Sequence, residues 1–240
     1  MSDDFPSGSW QLPEELVMLR DTVRRFMQEE VRPVEERQPH DCFKLPLEEL
    51  ETLQAKARRL GLWCLASPAE YGGGGMSLLA QVIIAEEAAK CRMGAYVPAC
   101  GAFGIDPPSV IWLGNEDQRQ RYGVQGIEQG KKCFVAISEA AGGSDPARKI
   151  QTRARRDGDD YVINGTKMWI TAAGEADWGI VFARTGEAGK GNGISAFIVD
   201  RELPGLTMRE IGVIRSYSPF EVTFEDVRIS AAVSYTHLRA

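Results

Sequence analysis

The run YVINGTKMWIT, residues 161–171, is the clearest hairpin signal in this sequence of 240 residues. Its central Asn-Gly pair lies between two runs rich in β-branched and aromatic residues, a pattern typical of a two-residue β-turn. Further short runs of this kind lie at residues 180–184 and 194–199, with Gly, Asp and Pro between them. From Cys133 onward the sequence therefore predicts a small β-barrel or β-sandwich.

The part of the chain before Cys133 has helical periodicity instead. Apolar residues recur at steps of three and four along residues 14–26, which predicts an amphipathic helix that ends near Pro33 and Pro39. Residues 46–61 and 76–89 carry the signals of two more helices. The sequence thus predicts an α+β multidomain protein, with an all-helical N-terminal domain followed by a β domain.

Composition and charge exclude several classes of protein. The formal net charge is −6, from 28 Lys and Arg against 34 Asp and Glu, which argues against a dedicated nucleic-acid binder. No apolar run approaches the roughly 20 residues of a membrane span. The acidic start, Met-Ser-Asp-Asp, lacks the features of a signal or transit peptide, so we expect a cytoplasmic protein.

The cysteines do not form a recognisable framework. They are odd in number, scattered and without a CxxC pair, and the chain has only two histidines. This spacing predicts neither a set of disulfides nor a metal site. The five are Cys42, Cys64, Cys91, Cys100 and Cys133.

The segment from Val135 to Asp145, VAISEAAGGSD, is the first candidate for chemistry. A β-type run ends there in a turn of small residues, whose backbone N–H groups can approach an anion or a flat heteroaromatic ring. Ser138 and Ser144 add hydroxyl donors. Spacing alone favours an ordinary transition from strand to loop, because small glycine-rich turns are common.

Trp169 and Thr171 form the second candidate. Two positions apart on a strand, they are expected on one face, where an aromatic ring beside a hydroxyl could line a heterocyclic cofactor. The alternative is a core tryptophan next to an ordinary strand threonine.

Five motifs together give a specific resemblance. They are collinear within residues 12–230 and resemble the acyl-CoA dehydrogenase family. The motifs are PAEYGG at 68–73, LGNEDQ at 113–118, ISEAAGGSD at 137–145, NGTKMWIT at 164–171 and FEDV at 224–227.

The resemblance implies a fold and an activity. The family has a helical N-terminal domain, a β-barrel middle domain and a C-terminal helical bundle, with FAD between the last two. Its members oxidise the Cα–Cβ bond of an acyl-CoA thioester: a carboxylate takes the α-proton and the β-hydride goes to flavin N5. Electrons then pass to an electron-transferring flavoprotein, and the subunits form homodimers or homotetramers.

The same resemblance assigns domains and site residues. It implies a helical domain over 1–133, a small antiparallel β-barrel over 134–233 and a non-native tail over 234–240. Ser138 would lie near the pyrimidine edge of the flavin, Trp169 against the ring system and Thr171 near N5, while Ser144 would also contact the substrate. The implied FAD-binding residues are Val135, Ala136, Ile137, Ser138, Gly143, Ser144, Trp169, Ile170 and Thr171.

The sequence departs from the family at three places. Ala140 replaces the usual proline, which removes a restriction on φ and predicts a more mobile turn without ligand. Residues 212–219 match the family only at Arg215 and Ser216, near its CoA-binding region. The family's catalytic glutamate is expected beyond residue 240, so Glu86, Glu87 and Glu139 are given structural roles, with Glu86 and Glu87 on an exposed helix stripe.

Two other functions stay open at this point. The same scaffold serves flavin-dependent oxidases and monooxygenases that act on other substrates. A non-catalytic truncated chain is the third possibility, because the 240 residues without the third domain are expected to be inactive.

Overall fold

The computed structural model describes residues 11–42, 44–91, 97–186, 193–214, 218–230 and 234–235. The chain separates into two compact units, residues 1–106 and 107–240. Among the described residues, no helix combines the length and the apolar character needed to cross a membrane. Arg215, Ser216 and residues 236–240, which the sequence singled out, lie outside the described residues.

The first unit is helical, as predicted. Three of its α-helices begin close to the predicted starts; for example, Ser77 caps the last of them by accepting a hydrogen bond from the Ala80 N–H at 3.3 Å. The helices are α1 Glu14–Phe26, α2 Arg32–Glu36, α3 Leu47–Arg59 and α4 Leu78–Ala88.

The first helical stretch ends between Pro33 and Pro39, as predicted, but it runs past Pro33. A π-helical turn, Met27–Val31, joins α1 directly to α2, and Pro33 lies in the first turn of α2. Proline has no N–H and clashes with a regular preceding turn, and the wider π turn relieves that conflict. The helix therefore continues to Glu36.

The prediction that Glu87 lies on an exposed stripe is also wrong. Its side chain is 3% exposed and accepts a hydrogen bond from Arg24 Nη2 at 2.7 Å, while Lys90 Nζ lies 2.9 Å away. Glu87 is therefore a link from α4 to α1. Its neighbour Glu86 is exposed, as predicted.

The second unit begins with a short helical segment that packs on a sheet. Tyr122 lies against Trp178 with ring centroids 4.9 Å apart, and Ile111 joins the same apolar cluster. The segment contains a 3₁₀ turn Ser109–Leu113, α5 Glu116–Gln118, a π turn Arg119–Val124 and α6 Gln125–Gln129. Contacts thus group residues 107–129 with the sheet, and the domain limits at 133 and 233 stay predictions.

The sheet is curled and mostly antiparallel, and the described residues form eight of its strands. Its order is β6-β7-β3-β2-β4-β5-β8, and β1 pairs with β4. The β1–β4 and β2–β4 pairs are parallel, which the sequence did not predict. The strands are β1 Cys133–Ala136, β2 Arg153–Asp157, β3 Asp160–Ile170, β4 Trp178–Arg184, β5 Ile194–Asp200, β6 Leu206–Glu210, β7 Phe220–Ser230 and β8 Ser234–Tyr235.

The predicted hairpin at Asn164-Gly165 is wrong. These residues lie inside the continuous strand β3, at a register shift against β7. The Asn164 amide donates to Asp226 Oδ1 at 2.9 Å and accepts from the Asp226 N–H at 2.9 Å, so the pair belongs to a bulge. The chain reverses instead between β2 and β3, where Gly158 has φ 64°.

The end of the described chain pairs with the sheet. Ser234 and Tyr235 form β8, opposite Phe197 and Ala196 of β5. The assignment of residues 234–240 as a non-native tail stays a prediction.

Candidate functional site

The loop after β1 folds back on itself. Glu139 and Gly142 exchange two backbone hydrogen bonds, of 3.2 and 3.1 Å. Asp145 then caps the short helix α7, Pro146–Lys149, by accepting from the Arg148 N–H at 3.4 Å. Hydrogen bonds thus hold the loop at both ends before the chain enters β2.

A buried ion pair fixes this loop to β3. Lys167 is fully buried on β3, and its Nζ lies 2.8 Å from Glu139 Oε1, whose side chain is 6% exposed. The same ammonium donates to the Ile137 carbonyl at 3.0 Å. One lysine therefore holds both the backbone and the side chain of the loop.

Two further backbone donors complete the Glu139 environment. The N–H groups of Gln151 and Thr152 donate to its two oxygens at 2.7 and 3.0 Å. Burial by itself would raise the pKa of Glu139, but the hydrogen bonds from Lys167, Thr152 and Gln151 outweigh it and lower the pKa. Glu139 is therefore a structural carboxylate, as the sequence predicted.

The end of β3 lies directly beside the loop. The Met168 N–H donates to the Ser138 carbonyl at 2.9 Å. With the Lys167 bonds, this brings residues 137–139 against residues 167–169. The two segments that the sequence singled out separately thus form one surface.

Trp169 stands out on this surface. It has a left-handed backbone, φ 64°, and its side chain is 55% exposed. The alternative of a core tryptophan is therefore wrong. Because β3 shifts register between Lys167 and Ile170 and ends at Ile170, the assumption that Trp169 and Thr171 share one strand face is also wrong, although both are exposed.

The other candidate residues divide by burial. Five of them are exposed: Val135, Gly143, Ser144, Trp169 and Thr171. Ile137 and Ser138 are half-buried. Ala136 and Ile170 are packed in the core of the sheet, so they can offer a ligand only backbone atoms. No hydrogen bond of the described residues draws Gly143 and Ser144 toward Trp169.

Gly142 and Gly143 differ in the space that surrounds each of them. A Cβ at Gly142 would lie 2.4 Å from Lys149 Cβ, so packing requires glycine there. A Cβ at Gly143 would meet nothing within 4 Å. Open space at Gly143 is what close approach by a ligand needs.

The sequence reasoning missed Lys167, and also Gln151 and Thr152, whose N–H groups donate to Glu139. The available signal was the lysine itself, a charge within the apolar run of a predicted strand, where it is expected only with a partner. Glu139 was identified as structural, but nothing in the spacing of the two residues linked them.

Residues 97–108 are rich in small and apolar side chains. Four of them, Ala99, Cys100, Ala102 and Phe103, belong to the core of the helical unit. Core packing thus accounts for these four side chains.

Comparisons with known proteins match both the helical part of the chain and the sheet. The family model "Acyl-CoA dehydrogenase, N-terminal domain" matches residues 13–128, and the model "Acyl-CoA dehydrogenase, middle domain" matches residues 133–227. The mitochondrial short-chain specific acyl-CoA dehydrogenase of Homo sapiens is 36% identical over 229 residues. That match takes in 92% of this chain and 53% of the human protein, so the chain spans about half the length of this relative.

Solved structures give the same result. A glutaryl-CoA dehydrogenase from Mycobacterium smegmatis in complex with FADH2 superposes with a TM-score of 0.73 at 26% identity, over 95% of this chain and 57% of that one. An acyl-CoA dehydrogenase from Geobacillus kaustophilus gives a TM-score of 0.73 at 28% identity, over 95% and 60%. With helices, curled sheet and loop matched in one order, the chain belongs to the acyl-CoA dehydrogenase family.

Proposed function

We propose that this chain forms the N-terminal and middle parts of an FAD-dependent acyl-CoA dehydrogenase, which oxidises the Cα–Cβ bond of an acyl-CoA thioester. The observation that carries the proposal is the loop fixed to β3 by Lys167 and Glu139, beside an exposed Trp169. The left-handed backbone of Trp169 costs of order 1 kcal/mol or more, and strain of this kind is concentrated at functional positions, which supports a binding role for this exposed ring.

The exposed residues fit a flat, hydrogen-bonding cofactor. Trp169 offers an aromatic face to the isoalloxazine ring, and Val135 offers an apolar contact. Ser138 and Thr171 offer hydroxyl or N–H donors where negative charge develops on reduction. When bound, FAD supplies the hydride acceptor, N5.

The remaining binding residues follow the same assignment. Ala136, Ile137 and Ile170 would contribute backbone atoms, and Gly143 leaves the approach open. Ser144 would contact both the flavin and the acyl-CoA. These roles rest on the matched motifs and on the exposures given above.

The base that takes the α-proton is proposed to lie outside residues 1–240. Glu87 is engaged by Arg24 and Lys90, and Glu139 by Lys167, which supports structural roles for both. Residues 1–240 alone are therefore proposed to be inactive. From the family we also propose an electron-transferring flavoprotein as acceptor, and a homodimer or homotetramer for the complete enzyme.

FAD binding tests the cofactor assignment. Titration of the 240-residue chain with FAD, followed by flavin fluorescence, is expected to show saturable binding. Trp169→Ala should weaken it about 3- to 10-fold, the value of an aromatic stacking contact. Leu113→Ala, at a side chain that is 67% exposed in the same unit, is the control and should leave binding unchanged. Equal binding by wild type and Trp169→Ala would contradict the stacking role.

Reduction by substrate tests the reaction. Butyryl-CoA is the probe, because the human relative is named short-chain specific. Without oxygen, the FAD-loaded chain is expected to keep its yellow colour, since the base lies elsewhere. Bleaching would place the base within residues 1–240. Bleaching followed by rapid oxygen consumption on exposure to air would favour an oxidase.

A further inference from the structure

Three side chains far apart in the sequence meet within the helical unit. Cys100 Sγ lies 3.7 Å from Cys91 Sγ and 3.7 Å from Glu35 Oε1. Their three candidate ligand atoms all lie within 4.8 Å of one another. The expectation of no metal site was based on spacing along the chain, which could not show that α2 brings Glu35 to the cysteines.

The cluster is sheltered but accessible. Cys100 is 5% exposed and Glu35 is 8% exposed, whereas Cys91, just after α4, is partly exposed. An ion could therefore enter past Cys91 and be held on the buried side by the other two groups. A binding site for an ion needs such a route.

The backbone at Cys100 is unusual. Ala99 and Cys100 have φ values of 52° and 54°, a left-handed conformation that costs a non-glycine residue of order 1 kcal/mol or more. Two successive residues in this conformation form the turn Pro98–Gly101 that carries the Cys100 thiol. Strain of this kind is concentrated at functional positions.

The two distances from Cys100 Sγ, to Cys91 Sγ and to Glu35 Oε1, are close to those of tetrahedral zinc coordination. With Zn–S of about 2.3 Å and Zn–O of about 2.1 Å, tetrahedral angles require about 3.8 Å between two sulfurs and about 3.6 Å between sulfur and oxygen. The observed distances are both 3.7 Å. We propose that Cys91, Cys100 and Glu35 bind one thiophilic divalent cation, Zn²⁺, with water in the fourth position.

Zinc binding at this site involves no redox step. The two thiols release two protons as two sulfur–zinc bonds form, and the carboxylate adds one oxygen ligand. The bound ion cross-links α2, the chain after α4 and the turn Pro98–Gly101. Because it binds only the folded arrangement, it should stabilise the helical unit.

Zinc binding to the untagged chain is the test. The protein is reduced with a phosphine, freed of metal and titrated with Zn²⁺ against a chromophoric chelator. We expect one ion per chain and a higher Tm with zinc. Co²⁺ in place of Zn²⁺ should give thiolate-to-metal charge-transfer absorption, which carboxylate or imidazole ligands alone do not produce.

Variants locate the site. Cys100→Ser and Cys91→Ser should raise the zinc dissociation constant more than the roughly 10- to 100-fold typical of losing an outer-shell partner, and should weaken the cobalt band. Glu35→Gln keeps both thiols, so it should weaken zinc binding but retain the cobalt charge-transfer band, even if a serine variant does not fold. Cys42→Ser is the control. The Cys42 thiol does not belong to the cluster, and it donates to the Lys44 carbonyl at 2.8 Å.

Three results would overturn the proposal. One is zinc binding by wild type that is no tighter than that of the Cys91→Ser variant. Another is loss of binding in Cys42→Ser equal to that in Cys100→Ser. The third is a Cys91–Cys100 disulfide in the isolated protein, found by mass spectrometry, with no zinc bound after reduction.

Discussion

Among single residues, Lys167 is a buried charge that joins β3 to the loop after β1. Its ammonium is fully buried, and it neutralises Glu139 while holding the Ile137 carbonyl. Buried pairs of this kind contribute little compared with a well-packed apolar pair, but removing one partner leaves a charge without compensation. The pair therefore specifies the position of the loop more than it adds stability.

Lys167→Met is expected to lower the free energy of unfolding by roughly 3–5 kcal/mol, because Glu139 would stay buried without its cation. Glu139→Gln leaves Lys167 without its anion, but the ammonium keeps the Ile137 carbonyl and the amide oxygen of glutamine can still accept, so this variant should cost less. Urea unfolding followed by far-UV circular dichroism measures both, with the exposed Lys131→Met as control. A Lys167→Met chain as stable as the control would show that Glu139 does not need the lysine.

The double variant Lys167→Met with Glu139→Leu gives the second arm of that experiment. If the cost comes from an unpaired buried charge, the double variant should be more stable than Lys167→Met alone. If the loss of stability in the double variant equals the sum of the losses in Lys167→Met and in Glu139→Leu, packing and not charge explains the loss.

At the scale of helices and strands, the sequence was reliable where one local signal acted alone. The apolar period of three and four found α1, α3 and α4, and β-type runs found β4 and β5. It failed where tertiary partners changed the local preference. Asn164-Gly165 has the composition of a turn, but pairing with Asp226 on β7 makes it a bulge inside a strand.

The candidate site could be predicted only in part, for the same reason. The motifs identified the loop 137–145 and Trp169, because each lies in one continuous run of characteristic residues. Lys167 and Glu139 are 28 positions apart, and their pairing depends on β3 passing beside the loop. The parallel pair β1–β4 is likewise a property of the whole sheet, not of any run within it.

The link between α1 and α4 gives a prediction at this scale. Glu87→Gln removes the carboxylate that Arg24 and Lys90 share, and should cost about 1–2 kcal/mol, between exposed and buried ion pairs. Glu86→Gln, one residue earlier on the exposed face, is the matched control and should change stability by less than about 0.5 kcal/mol. Urea midpoints of the two variants and wild type decide this; equal midpoints would mean that the link adds nothing.

For the whole molecule, a buried carboxylate with a lowered pKa is found among the described residues of each unit: Glu87 in the helical unit and Glu139 beside the sheet. Hydrogen bonding to Arg24, against the effect of burial, lowers the pKa of Glu87 from 4.5 to about 2. The pKa of Glu139 is lowered by its bonds to Lys167, Thr152 and Gln151. In both cases the unfolded chain takes up a proton at a pH where the folded chain does not.

Stability should therefore be complete above the unfolded pKa and fall as pH drops from about 5 toward about 2. The sharpest measurement is the difference in urea midpoint between wild type and Glu87→Gln, taken at several pH values in that window. At pH 7 wild type should be the more stable. Near pH 2 the protonated Glu87 resembles glutamine, so the difference should shrink toward zero. A difference that stays constant down to pH 2 would mean that the variant acts through packing and not through the charge that joins α4 to α1.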